Sequence, residues 1–412
     1  MNPRTIALSA ALLLGGPGGL FAQAAPPAPP TLREVLEIAL RRNPDIEAAR
    51  ARVDSAHGEQ RIARALPNPL LGSAPNQPWQ YTLTLPLDVT PQRLFRTRAA
   101  SRGTDAAVDD ATDVERQVKF GVRQAFLDVL LAERQQDLAG ERREIFRRLL
   151  AADSARLHAG DIPQRELTKA ELEEARADAD FLRAVGQVHA ARLALQLLMG
   201  TATPDTGFQI AGDLTYRAVD VPADSLGQFA MRSRPDLRAA GERLEQGRAN
   251  GALATASLFP LPVLTFSHST QVFPKGDVFS FGTRNSVGIG FTFPLFYFNG
   301  GERKLARAAL DQSRITIQRL DAEVANDVAT ALDAYRSMRT LCERYESGLL
   351  ARAQTVLETA RYAYGIGAVS LLELLDAIAT YSDTRSDYDR AVHDYWVAVY
   401  GLTRATGREW VP

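Results

Sequence analysis

The 412-residue sequence contains a single cysteine, Cys342, so no disulfide can close within one chain. It also lacks any excess of positive charge, with 48 lysines and arginines against 49 aspartates and glutamates. Nucleic-acid binding needs clustered basic charge. The basic pairs Arg41-Arg42, Arg142-Arg143 and Arg147-Arg148 sit among acids on helical stretches, which is the pattern of solvated faces. No nucleic-acid partner is expected. After the N-terminus there is no apolar run of roughly 18 residues, the length a membrane-crossing helix needs. Only helices and closed barrels satisfy every backbone polar group in lipid, so a membrane role would require a β-barrel.

Catalytic chemistry is missing too. The five histidines, His57, His158, His189, His268 and His393, form no metal-ligand spacing and read as surface or helix-face residues. There is no glycine-rich nucleotide loop ending in Gly-Lys-Ser/Thr and no Gly-x-Ser-x-Gly elbow. No enzyme activity, cofactor or metal site is expected.

Residues 1–24 have the form of a secretory signal. Arg4 supplies the charge, Ile6 to Leu14 the short apolar stretch, and Ala22-Gln23-Ala24 a small-x-small cleavage site. Residues 25–30, Ala-Pro-Pro-Ala-Pro-Pro, form a stiff lead-in. No cysteine follows the signal, so no lipid anchor is expected there.

The body of the chain is duplicated. Asn43-Pro44-Asp45-Ile46 returns as Arg234-Pro235-Asp236-Leu237, and Leu85-Pro86-Leu87 as Phe293-Pro294-Leu295. Ala159-Gly160-Asp161-Ile162 returns as Ile366-Gly367-Ala368-Val369, and Met199-Gly200 as Thr406-Gly407. Four landmarks in one order define a first repeat over 31–200, a linker over 201–223, a second repeat over 224–407 and a tail over 408–412.

Each repeat reads as helix, β-hairpin, long helix, turn, helix. In the first, Thr31 and Glu34 form a capping-box start and the helix runs to Ala65, where Leu66-Pro67-Asn68-Pro69 stops it. A hairpin occupies 68–88, and a helix follows from about Arg93 to Leu157. Those roughly 65 residues would span on the order of 95 Å. The chain turns at 158–163 and a further helix runs to about Met199. The second repeat places its hairpin at 261–296, its long helix over Gly301 to Tyr364, its turn at 364–370 and its last helix from Ser370 to Ala405.

Val287, Ile289, Phe291, Phe293 and Leu295 alternate with glycine and small residues, as in a barrel strand with lipid on one side and a lumen on the other. Phe296-Tyr297-Phe298 then forms an interfacial aromatic girdle. Two heptad rows run along the second long helix. One is Ile317, Val324, Ala331, Met338 and Tyr345; the other is Val328, Tyr335, Cys342, Leu349 and Val356. In the linker, Phe208, Ile210, Leu214 and Tyr216 point to a short strand or two. Four strands cannot close a membrane barrel alone, so the barrel has to be shared between subunits.

These residues together resemble the TolC-like outer-membrane efflux family from about Thr31 to Gly407. The resemblance is carried by the duplication, by Ala39-Leu40 ahead of Asn43-Pro44-Asp45-Ile46, by the Pro67-Asn68-Pro69 exit and Phe293-Pro294-Leu295-Phe296, and by the two turns with Leu371-Leu372-Glu373-Leu374. It implies a mixed α and β fold in a homotrimer embedded in outer-membrane lipid. Long α-helical hairpins would build a periplasmic α-barrel below a shared twelve-stranded β-barrel, four strands per chain. Partners would be a periplasmic adaptor and an inner-membrane transporter, with a proton-driven one favoured. The duct would pass metal ions or small toxic compounds passively; protein secretion, or a periplasmic coiled-coil scaffold, stays open as an alternative.

Residue roles are implied in the same way. Glu373 and Asp376 match an acidic ring at the periplasmic aperture. Glu166 and Tyr364 match closure contacts between tips, although Val369 stands where a basic residue is usual. Gly160, Asp161, Gly367 and Ser370 lie at the tips that would dock the adaptor. The first hairpin is short for the family.

Export should remove residues 1–24. N-terminal sequencing of the protein from outer-membrane material should begin at Ala25, and a retained Met1 would refute the signal assignment.

Overall fold

The computed structural model describes residues 28–74, 79–275, 278–291 and 296–410, with 271–275 and 278–283 described by backbone alone. The expected signal, the first part of the lead-in, the Phe293-Pro294-Leu295 landmark and the last two residues lie outside these. In chain order the elements are α1 (Leu32–Arg42), α2 (Pro44–Arg64), β1 (Leu70–Ala74), β2 (Gln80–Pro86), α3 (Pro91–Ala159) and α4 (Gln164–Leu198). The second repeat supplies α5 (Leu226–Ser233), α6 (Pro235–Ala256), β3 (Pro262–Lys275), β4 (Val278–Phe291), α7 (Gly300–Arg344), α8 (Leu350–Gly365) and α9 (Leu371–Thr406).

Where one opening helix was expected in each repeat, there are two. Asn43 leaves the helical conformation at ψ 128° and its side chain accepts the Asp45 N–H at 2.9 Å, starting α2 with Pro44 in its first turn. Proline has no N–H to offer α1 and its ring restricts the residue before it, so the helix restarts there. Arg234 and Pro235 repeat the break between α5 and α6. The Asn43 side chain also donates to the Leu198 carbonyl at 2.8 Å, and the Ser233 hydroxyl donates to the Thr406 carbonyl at the same distance. Each break is thus tied to the end of its own repeat's last helix.

Left-handed glycines finish both of those helices. Gly200 sits at φ 70° and Gly407 at φ 69°. A Cβ on Gly200 would lie 2.1 Å from the Arg42 carbonyl oxygen.

The linker is not a strand. Its one β-type contact is the parallel bridge between Thr31 and Ala211. Side chains hold it instead. The Tyr395 hydroxyl donates to the Arg217 carbonyl at 2.9 Å and accepts the Val219 N–H at 2.9 Å, while the Trp396 indole donates to the Thr215 carbonyl at 2.8 Å. Tyr335 donates to the Val219 carbonyl. The apolar residues of the linker pack on helices, so their alternation carries no pairing.

Two buried clusters hold the helices together. The larger joins α1, the middle of α3, the end of α4, α5, α7 and the C-terminal half of α9 around Val122, Phe126, Leu195, Val324 and Tyr395. The smaller lies near the α3–α4 and α8–α9 turns and contains Phe146, Leu149, Leu357, Tyr364, Leu374 and Ile378.

The heptad rows of the second long helix do not run unbroken. Val328, Tyr335 and Cys342 are buried as expected, but Leu349 and Val356 are about half exposed, at 46% and 50%. Between α7 and α8 a π-turn over Tyr345–Leu349 carries Gly348 at φ 123°. A π-turn adds one residue to the helical repeat. The buried row therefore resumes one position late, at Leu357 and Tyr364.

Gly200→Ala should cost about 3 kcal/mol or more, from a left-handed backbone and the clash with Arg42. Gly58, whose Cβ would meet nothing within 4 Å, is the control; in mid-helix its change to alanine should stabilise by about 0.5–1 kcal/mol. Unfolding midpoints of the detergent-solubilised proteins by circular dichroism should separate the two, and equal midpoints would contradict the packing at Gly200.

Candidate functional site: the sheet and the helical tips

The four strands form one antiparallel sheet in the order β1-β2-β3-β4, so β2 of the first repeat pairs with β3 of the second. Register assigns each side chain to a face, because alternate residues point to opposite sides. Leu71, Leu83, Phe266 and Val287 lie in one row across all four strands. Leu85, Leu264 and Ile289 form the next row, and Pro262 and Phe291 the one after. The opposite face carries Gly72, Thr82, Ser267 and Ser286 in one row and Leu70, Thr84, Thr265 and Gly288 in another, so it is polar apart from Leu70 at the edge. On the apolar face Leu71, Val287 and Ile289 are 73%, 66% and 64% exposed.

An exposed apolar face backed by a polar one is the inverse of a soluble sheet. It fits lipid outside and water inside. Aromatic residues bracket the apolar rows, Trp79 and Tyr81 at one end and Phe296, Tyr297 and Phe298 at the other, all exposed. Among the described residues no helix is long and apolar enough to cross a membrane.

The helical turns lie at the other end of the long helices. Gly160 has φ 83° and Gly367 φ 73°. Both turns use the same pair of backbone bonds. Gly160 N–H reaches the Leu157 carbonyl and Asp161 N–H the Arg156 carbonyl, both at 2.9 Å. Gly367 N–H reaches Tyr364 at 3.0 Å and Ala368 N–H reaches Ala363 at 2.8 Å. This is a Schellman cap, which a left-handed glycine permits.

Ser370 then starts α9 with a capping box. Its hydroxyl accepts the Glu373 N–H at 3.3 Å, and the Glu373 carboxylate accepts the Ser370 N–H at 3.0 Å. Glu373 and Asp376 are both exposed on the first turns of α9. Val369 packs against the smaller core cluster.

Tyr364 is buried, and its hydroxyl donates to Asp153 Oδ1 at 2.7 Å, joining α8 to α3. Asp153 is fully buried, its Oδ2 without a partner among the described residues, and the Arg156 guanidinium stands 3.9 Å from Oδ1. Burial pushes the Asp153 carboxyl above its ordinary value, against the Tyr364 hydrogen bond and the Arg156 charge, and Glu166 adds to the upward push. The Tyr364 hydroxyl is raised by burial and by Asp153. Asp153 thus bonds Tyr364 and feels the charge of Glu166. Asp153 is foreshadowed only by its spacing: Phe146, Leu149 and Asp153 follow a helical stripe, where an acid on an apolar seam stands out.

His393, expected on a surface or helix face, is buried, with its two ring nitrogens 2.8 Å from Asp128 and 2.9 Å from Asp394. Those carboxylates outweigh burial, so the imidazole is held above its ordinary pKa. Cys342 is buried too, and its thiol is pushed up to about 12. Neither group opens onto a site. Among the described residues no cluster of His, Cys, Asp and Glu is arranged to hold a metal ion.

Comparison with known proteins agrees with this geometry. Residues 35–201 and 226–408 match the outer membrane efflux protein family. The cobalt-zinc-cadmium resistance protein CzcC of Cupriavidus metallidurans is 25% identical over 386 residues, covering 92% of this chain and 90% of its own. The cation efflux system protein CusC of Escherichia coli is 25% identical over 397 residues, covering 88% and 84%. The outer membrane channel CmeC of Campylobacter jejuni superposes with a TM-score of 0.78 at 18% identity, over 91% of this chain and 85% of that one. The chain belongs to the outer membrane efflux protein family and is an outer-membrane efflux duct, not an enzyme.

Proposed function

We propose that three copies of this chain form the exit duct of a tripartite pump that expels metal cations. The observation that carries the reading is the sheet. It presents one apolar and one polar face and ends in the open edges of β1 and β4. An edge in lipid leaves N–H and C=O groups without partners at several kcal/mol each, so β1 of one copy should pair with β4 of the next. Twelve strands then close around a polar lumen.

The helical hairpins below would stack into a tube reaching across the periplasm. At about 1.5 Å per residue, the 69 residues of α3 extend roughly 100 Å. The turns at Gly160-Asp161 and Gly367 to Ser370 would meet a periplasmic adaptor, itself seated on a proton-driven inner-membrane transporter. A metal cargo is favoured by the cobalt-zinc-cadmium and cation-efflux relatives. Glu373 and Asp376 would crowd six carboxylates into the periplasmic mouth of a trimer, which attracts cations. The Tyr364–Asp153 bond, with Glu166 alongside, would hold the tips closed.

The detergent-solubilised protein should have three times the chain mass after correction for bound detergent, and should form pores in planar bilayers. A stable folded monomer would overturn the architecture.

The mouth is tested separately with Glu373→Gln and Asp376→Asn. Glutamine can still accept the Ser370 N–H and so keeps the capping box, whereas alanine would lose that half of it. The double variant should lower cation selectivity and weaken block by divalent cations from the helical side, with trimer yield unchanged. Selectivity and block equal to the unsubstituted protein would remove these two residues from the aperture.

A further inference from the structure

Among the described strand side chains, Arg284 of β4 alone carries a full charge at neutral pH. It lies on the polar face, in one row with Ser269, Gln80 and Ala74 across β3, β2 and β1. Toward the helical end its own face continues as Ser286, Gly288 and Gly290, which hardly rise above the backbone. Arg284 is exposed and makes no hydrogen bond or ion pair among the described residues. Among the described residues it is a cation over a floor of small side chains, on the face that would line the barrel.

We infer that Arg284 forms a ring of positive charge inside the β-barrel and sets the ionic selectivity of its outer segment. The inference rests on the trimeric duct proposed above. Twelve tilted strands about 4.8 Å apart give a backbone radius of roughly 12 Å. A guanidinium reaching inward from that wall stands roughly half-way to the axis. Three such charges then lie within about one Debye length of the centre at 0.1 M salt, where that length is about 10 Å. Their potentials overlap across the whole opening, and no water-filled path avoids them. The ring favours anions and raises the barrier for free cations. The charge is opposite to that of the carboxylates proposed for the periplasmic mouth, so the two ends of the duct would sort ions in opposite senses. The barrier is the same for a cation leaving and one returning, so the ring sets which ions pass and not the direction; net outward flow has to come from the pump below.

The test uses the full-length protein in planar bilayers under a KCl gradient centred on 0.1 M. It is made in a Glu373→Gln, Asp376→Asn background, so that the acidic mouth does not act in series. Arg284→Ser should raise the potassium-to-chloride permeability ratio by about twofold or more, and Arg284→Glu should raise it further. Arg284→Lys should leave it unchanged, because the charge and not the guanidinium geometry acts. At 1 M salt, where the Debye length is about 3 Å, the differences should collapse. Pores of normal conductance with the same ratio in all four proteins would overturn the ring alone. Folded protein that forms no pore, with arginine still in place, would overturn the duct reading and the ring together.

Discussion

In hydrocarbon every backbone N–H and C=O must find its partner within protein. This constraint governs the whole molecule. Among the described residues the sheet leaves one side of β1 and one side of β4 without a neighbouring strand. The duplication places two hairpins side by side through the β2–β3 pairing, and each hairpin brings its own set of helices. In the trimer proposed above, a sheet closed with other copies would set a ring of helices beneath it.

The helices meet that demand through their periodicity. α3 runs 69 residues without a break, long enough to carry α2 and α4 along one side in succession. The corresponding path in the second repeat is α7, a π-turn and α8. The added residue at Gly348 rotates everything after it by about a hundred degrees, since one residue is that fraction of a 3.6-residue turn. Leu349 and Val356 are thereby brought out, while Leu357 and Tyr364 face α9 and α3. The two repeats share a pattern of elements, but the second carries its helix past a π-turn that the first lacks. The Tyr364–Asp153 hydrogen bond is one result, joining the two hairpins through a buried acid whose second oxygen has no described partner.

Charge is distributed with similar economy. Surface ion pairs stud the helices, but such exposed pairs contribute only about 0–1 kcal/mol each and do not define the fold. The buried groups are fewer and more informative. Arg234 is almost fully buried and bonds both Asp236 and Asp327, so the helix break of the second repeat is anchored by charge, where Asn43 anchors the first with a neutral amide. One landmark, duplicated and then diverged, does the same mechanical task with different chemistry.

The sequence alone determined the duplication, the hairpin and turn of each repeat, the two-faced strand at Val287 and the glycine-containing turns. Each of these depends on short-range rules of periodicity or backbone conformation that act within a few residues. The tertiary structure decided the rest. Pro44 and Pro235 broke helices whose hydrophobic pattern runs on, because a missing N–H outweighs a continuous stripe. The linker residues Phe208 to Tyr216 gave a strand-like pattern but are held by the hydroxyls of Tyr335 and Tyr395, which lie far away in sequence. The π-turn at Gly348 could not be read from the heptads, since one inserted residue leaves the composition on both sides unchanged. Asp153 joined Tyr364 only when α3 and α8 were brought together. Arg284 acquired its place in the same way, because register with β3, and through it β2 and β1, assigns a lone charge in β4 to the polar face. Local rules write the elements; long-range pairing decides which side chains meet.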